Sequence, residues 1–145
     1  MDKQSAQRMT APCGIPCFHC PAHLASTNPD IRKVVAKTLG VSEEKASCEG
    51  CRPAGGHCKV LRSEEACRIH QCAEQGGVTF CFECDDFPCP RLQPYADKAS
   101  FPHNTKMFQL CMIKKLGIEK WANEEAVKIW DTYRSEPFSF DKILY

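Results

Sequence analysis

Eleven cysteines between residues 13 and 89, held in short-spaced groups, constrain this chain more than any other feature. The groups are Cys13, Cys17 and Cys20; Cys48, Cys51 and Cys58; Cys67 and Cys72; and Cys81, Cys84 and Cys89. Packing seldom explains such spacing. The hydrophobic content of 43% includes all twelve cysteines, and without them residues 42–90 are poor in Leu, Ile, Val and Phe. Ordering the backbone costs roughly 1–2 kcal/mol per residue, more than so few apolar side chains offset. Domains short of core use disulfides or metals instead.

The polar stretch Met1 to Thr10 has no apolar run of the secretory kind, and no segment reaches the roughly 20 apolar residues of a membrane span. A cytoplasmic location follows as the expectation. In such a compartment Cys-x-x-Cys pairs point to metal rather than disulfides. The net charge of +1 and a pI near 7.5 carry no nucleic-acid footprint, which has a pI above about 9 or a clustered basic face.

Along the chain, residues 1–11 read as a flexible lead-in. Pro12 to Pro21 is rich in Gly and Pro, which forbid regular helix and favour tight turns. Asn28-Pro29 starts a helix, with Ile31, Val34, Val35 and Leu39 as its apolar face and Gly40 as its stop. Ser42 opens a short helical turn through Lys45. Gly50 lets the backbone wrap around an ion in the knuckle Cys48-Glu49-Gly50-Cys51. Ser63 caps a helix over about 64–75. Cys67 and Cys72 stand about 140° apart on its wheel, so they serve one ion only if that helix starts late. Val78 to Phe80 suggests a short strand leading to the knuckle Cys81–Cys84. Beyond Pro90 come a loose helix around Pro94, an amphipathic helix over about 105–116 and another over about 118–134. The expected apolar side of the first is Met107, Phe108, Leu110, Cys111 and Ile113, with Cys111 in the core. The aromatic stretch Pro137 to Tyr145 is expected to fold back on the body.

Zinc takes four tetrahedral thiolate or imidazole ligands, which paired knuckles supply. Cys17/Cys20 with Cys48/Cys51 makes one site, and Cys72, Cys81, Cys84 and Cys89 a second. Cys13, Cys58 and Cys67 would need a histidine, from His19, His23, His57 or His70, for a third. An iron–sulfur cluster is the alternative: Cys89-Pro90 echoes the end of ferredoxin runs, although their full spacing is absent. Cys13-x3-Cys17-x2-Cys20 matches the spacing of radical S-adenosylmethionine enzymes, but the chain lacks the alternating strands and helices of their barrel. His103 reads as a structural hydrogen-bonder, and Asp85-Asp86 as turn formers or acceptors beside a metal site. No Ser-His-Asp order, phosphate-cradling Gly loop or His-Glu-x-x-His pair supplies a catalytic group, so the reading leans away from an enzyme.

The ordered string Cys13-Gly14-x-x-Cys17-x-x-Cys20-Pro21, Cys48-x-Gly50-Cys51, Cys67-x-Ile69-x-x-Cys72-Ala73, Gly77-Val78 and Cys81-x-x-Cys84-x-x-Phe87-Pro88-Cys89 resembles a family of small prokaryotic cysteine-rich proteins. The family is a domain of unknown function taken to bind zinc. The resemblance spans about residues 12–92 and continues weakly through Lys115-x-Gly117-Ile118-x-x-Trp121. It implies a cytoplasmic metal-binding protein with no assigned role. Two features depart from it: a longer gap between Cys58 and Cys67, and no cysteine after Trp130.

The sequence therefore predicts a small, irregular, mainly α domain stabilised by metal, with Cys-rich knuckles and a C-terminal helical pair. The lead-in 1–11 precedes a cysteine-rich metal-binding region, 12–92, and residues 93–145 pack on it as part of one domain. The expected ligands are Cys13, Cys17, Cys20, Cys48, Cys51, Cys58, Cys67, Cys72, Cys81, Cys84 and Cys89, holding two or three Zn2+ ions in a mainly structural role. A metal-dependent enzyme with one open site is a further alternative. The loop 52–62 and the aromatic tail would face a protein partner.

Overall fold

The computed structural model describes residues 1–61, 65–137 and 139. Among them are seven α-helices: α1 (Lys3–Arg8), α2 (Pro21–Leu24), α3 (Pro29–Leu39), α4 (Arg68–Gln75), α5 (Lys106–Leu116), α6 (Ile118–Glu124) and α7 (Ala126–Ser135). Short 3-10 turns join them, several beginning or ending beside a cysteine. The described residues contain no strand, only an isolated bridge between Thr10 and Pro16. The protein is mainly helical, as expected.

Residues 1–11 are not a flexible lead-in. Asp2 caps α1, accepting the Ser5 amide at 2.8 Å, and Ala6 is fully buried. The Met1 amino group donates to Asn123 Oδ1 at 2.8 Å, fastening α1 to α6. Helix α3 follows its signals closely. Asn28 Oδ1 accepts the Asp30 and Ile31 amides, Pro29 takes the first position and Gly40 ends the helix with a left-handed residue. Its inner face is shifted, however: Val35 and Ala36 are buried while Val34 is 64% exposed.

Helix α4 starts at Arg68, after Cys67 as its cap; Ser63 and Glu64, the expected start, lie outside the described residues. Cys67 has extended rather than helical backbone angles, φ −56° and ψ 124°. Its side chain is therefore released from the helical wheel that would oppose it to Cys72. Residues 78–80 form no strand, because the Glu83 carboxylate takes the amides of Thr79 and Phe80 that a ladder would use.

The C-terminal half is a helical wall. Helix α5 buries Lys106, Gln109, Leu110 and Ile113, an i, i+3, i+4, i+7 stripe, and leaves Cys111 exposed and Phe108 59% exposed. The expected apolar side is thus rotated, and Cys111 is not a core residue. Polar bonds set the rotation. The Trp121 indole donates to Gln109 Oε1 at 2.8 Å inside the core, and Lys106 Nζ reaches the Arg91 and Gln93 carbonyls at 3.4 Å each. The expected single helix over 118–134 is broken at Glu125, whose φ of −121° is not helical, giving α6 and α7. Of the tail, residues 138 and 140–145 lie outside the described residues.

Two apolar clusters result. The larger joins Ala6, Ile15, Phe80 and Leu92 to Leu110, Ile113, Ile118 and Trp121, with Cys13 and Cys17 inside it. The smaller, under α2 and α3, consists of Ala22, Ala25, Val35, Ala36, Ala46 and Val60. Gly14 sits where the cysteine turn meets α5. Its φ is +87°, and a Cβ there would stand 3.0 Å from Leu110 Cγ. Only glycine meets both demands.

Replacing Gln109 by Leu strands the buried indole N–H and is expected to cost about 1–3 kcal/mol in denaturant unfolding. Adding Trp121→Phe removes the stranded donor and should cost less than the sum of the two single changes. His103 is partly buried, which lowers its pKa below the ordinary 6.5, as does the Lys106 charge to a smaller extent. The folded state therefore favours the neutral imidazole. Its contribution is complete above pH 6.5 and is lost as the pH falls from there through the folded-state value. His103→Gln should flatten this part of the acid limb in a series of unfolding curves.

Candidate metal centres

None of the twelve cysteines forms a disulfide, and the eleven upstream of Pro90 fall into three neighbourhoods. The first centres on the turn carrying Cys13, which hydrogen-bonds the last knuckle through Cys81 N to Pro12 O at 2.9 Å. Burial pushes the Cys13 thiol up to about 12, and the nearby Cys67 and Cys81 thiols push it the same way. Cys51 is also raised, by burial first and then by Cys13, Cys17 and Cys67. Gly56 joins this group by backbone, its amide donating to Cys51 O at 2.8 Å and its carbonyl accepting the Cys67 amide at 3.0 Å.

The second neighbourhood holds Cys17, Cys20, Cys48 and Cys58. Burial raises Cys17 to about 12, opposed by the Cys51 amide, which donates to its sulfur at 3.3 Å. Cys20 is raised by burial and by the Cys48 charge. Cys48 moves the other way, down to about 6, chiefly because the Cys58 thiol hydrogen-bonds to it. The Gly50 amide at 3.4 Å adds to the effect. His23 Nδ1 and the Ser26 hydroxyl both lie 3.0 Å from the Cys48 carbonyl and anchor this knuckle on α2 and the turn after it.

The third neighbourhood is open. Cys72, Cys81, Cys84 and Cys89 line a cavity of about 650 Å³ with Glu83, Asp85, Asp86 and Arg91 among its other walls. Burial raises Cys81 to about 11, followed by Cys89, Cys72 and Cys84. Arg91 Nη1 lies 3.8 Å from the Cys72 sulfur.

The grouping departs in part from the knuckle-by-knuckle expectation. Cys72, Cys81, Cys84 and Cys89 lie together. Cys58, expected with Cys13 and Cys67, instead lies on Cys48, and Cys51 stands near Cys13 and Cys67 as well as Cys17. Among the described residues no three His, Cys, Asp or Glu side chains stand close enough to enclose an ion as they lie. The donor chemistry nevertheless fits one: soft sulfurs grouped by threes and fours, with amide N–H groups aimed at two of them.

Residues 9–94, the span containing all three neighbourhoods, match the family described as Protein of unknown function (DUF3795). The chain belongs to that family. No curated protein and no solved structure matches the chain. Family membership accounts for the cysteine-rich part, whereas α5 to α7 lie outside the matched span.

Arg52 was not foreseen, because an arginine beside a knuckle carries no sequence signal of its own. Its Nε donates to Thr10 O at 2.7 Å, its Nη2 donates to Thr79 O, and its guanidinium lies over the Phe80 ring. It is a half-buried cation whose pKa is lowered by burial and raised by Cys51, Cys17 and Cys13. It therefore ties two cysteine-bearing segments together and offsets negative charge on their sulfurs. Arg52→Met should destabilise the protein by about 1.5–3 kcal/mol for each charged hydrogen bond lost, read from the denaturation midpoint. Arg52→Lys should recover only part, since an ammonium lacks the fork that reaches both carbonyls.

Proposed function

We propose that this is a zinc-binding protein whose ions are structural: they hold the cysteine-rich region folded so that it can serve as a protein-interaction module in a reducing, cytoplasmic setting. One observation carries the reading. Eleven cysteines, none of them in a disulfide, gather into three neighbourhoods. Neutral thiols make no strong bonds to one another, and a bound cation joins four of them by directional cross-links. The cation supplies charge to hold the thiolates, and the Cys51 and Gly50 amides and Arg52 add to it. In finger peptides structural zinc supplies about 10–16 kcal/mol of apparent binding energy, enough to replace the missing core around α2 and α3. Among the described residues no helix is long and apolar enough to cross a membrane.

A second reading applies to the open group alone. A cavity of about 650 Å³ is wider than a single ion needs, which favours an iron–sulfur cluster on Cys72, Cys81, Cys84 and Cys89. Cluster and ion differ in colour and in iron content.

Anaerobically purified full-length protein should contain stoichiometric zinc and be colourless; brown protein with iron and acid-labile sulfide selects the cluster. Removal of zinc by a strong chelator should abolish most of the helical circular dichroism, with recovery on re-addition. Unchanged helicity after verified metal loss would sink the structural role.

A further inference from the structure

Three tetrahedral ions need twelve donors, and the neighbourhoods hold eleven sulfurs. The open group has four of its own, and Cys17, Cys20, Cys48 and Cys58 make another four. Cys13, Cys51 and Cys67 remain, one donor short. Cys111 is exposed on α5 and belongs to no neighbourhood.

Four of the five histidines are otherwise engaged or misplaced. His19 stands edge-on to Trp130 at 6.0 Å, with Asp131 at 3.9 Å. His23 Nδ1 is occupied by the Cys48 carbonyl. His57 is exposed. His103 also has a buried Nδ1 without a hydrogen bond, but it lies in the turn before α5, against Phe101 and near Lys106, and is only partly buried as a residue. His70 is different. It is 3% exposed, and its buried Nδ1 makes no hydrogen bond, an unfavourable state when nothing compensates it. Glu74 Oε2 lies 3.4 Å from that nitrogen without forming a hydrogen bond to it.

The backbone brings His70 to the incomplete group. Cys67 caps α4, and His70 lies three residues on, in its first turn. Both adjoin Gly56: its carbonyl holds the Cys67 amide, its own amide is bonded to Cys51 O, and a Cβ on it would fall 2.9 Å from His70 Cβ and Cγ. One glycine, at φ +80°, thus links Cys51, Cys67 and the imidazole, and it must be glycine because the ring fills the space of a side chain.

We propose that His70 is the twelfth ligand, completing a Cys3His zinc site with Cys13, Cys51 and Cys67. The donor to the ion is Nδ1, the buried nitrogen without a partner, which lies on the ring edge beside Gly56. The assignment rests on the structural-zinc reading above and specifies its most buried site.

The test is cadmium-113 NMR of full-length protein reconstituted with 113Cd2+, beside an elemental count of zinc in the protein as purified. Wild type should hold three ions, with two resonances of four-sulfur character and a third shifted upfield by a nitrogen ligand. His70→Cys should keep three ions and move only the third resonance into the four-sulfur range. His70→Ala should lose one ion of the three. Three four-sulfur resonances in wild type, two ions in wild type, or a third resonance unmoved in His70→Cys would overturn the assignment while leaving the zinc reading intact. Protein that takes up no metal would instead overturn that reading. The wild-type spectrum and His70→Cys decide the question even if His70→Ala does not fold.

Discussion

A thiol removed from water has two stable conditions here: neutral, as burial dictates for Cys13 and Cys17, or ionised and held by positive charge and amide donors. Much of the structure depends on that choice, because Cys13 and Cys17 stand within the apolar cluster and seven more cysteines are partly buried. In the neutral condition they contribute what small hydrophobes contribute, and the α2–α3 cluster, four of whose six members are alanine, is thin support. In the ionised condition they require a cation. The Cys51 and Gly50 amides and the Arg52 guanidinium are arranged for the second condition, and a disulfide answers for neither.

The helical wall supplies what the cysteine region lacks. Phe18, between two cysteines, stands edge-on to Trp121 at 6.0 Å. His19 does the same with Trp130, and Gly14 lies against Leu110. The first cysteine turn is thus seated on α5 to α7 by rings and close packing, and it passes that position to the last knuckle through the Pro12–Cys81 hydrogen bond. The family span ends before the wall begins, yet the two parts share one apolar cluster.

Much of the local structure could be read directly from the residues. Asn28, Pro29 and Gly40 delimit α3 because caps and stops act within a few residues, and the Cys-x-x-Cys knuckles form where turn-forming residues require them. Errors arose where a distant group competes for a local one. Glu83 takes the amides of an expected strand, Gln109 and Lys106 rotate α5 towards their partners, and the cap and burial of α1 follow from Asp2 and Ala6, residues too ordinary to stand out. The break at Glu125 had no signal of the Gly or Pro kind.

The same division applies to the site. Sequence alone established which eleven cysteines stand close along the chain, since spacing is a property of the chain itself. Tertiary structure decided the company each sulfur keeps: Cys58 with Cys48, Cys51 with Cys13 and Cys67, Cys72 with the last knuckle. It also separated His70 from the other histidines. Burial depends on what lies around a residue in space, and Gly56, fourteen positions away, supplies part of that surrounding.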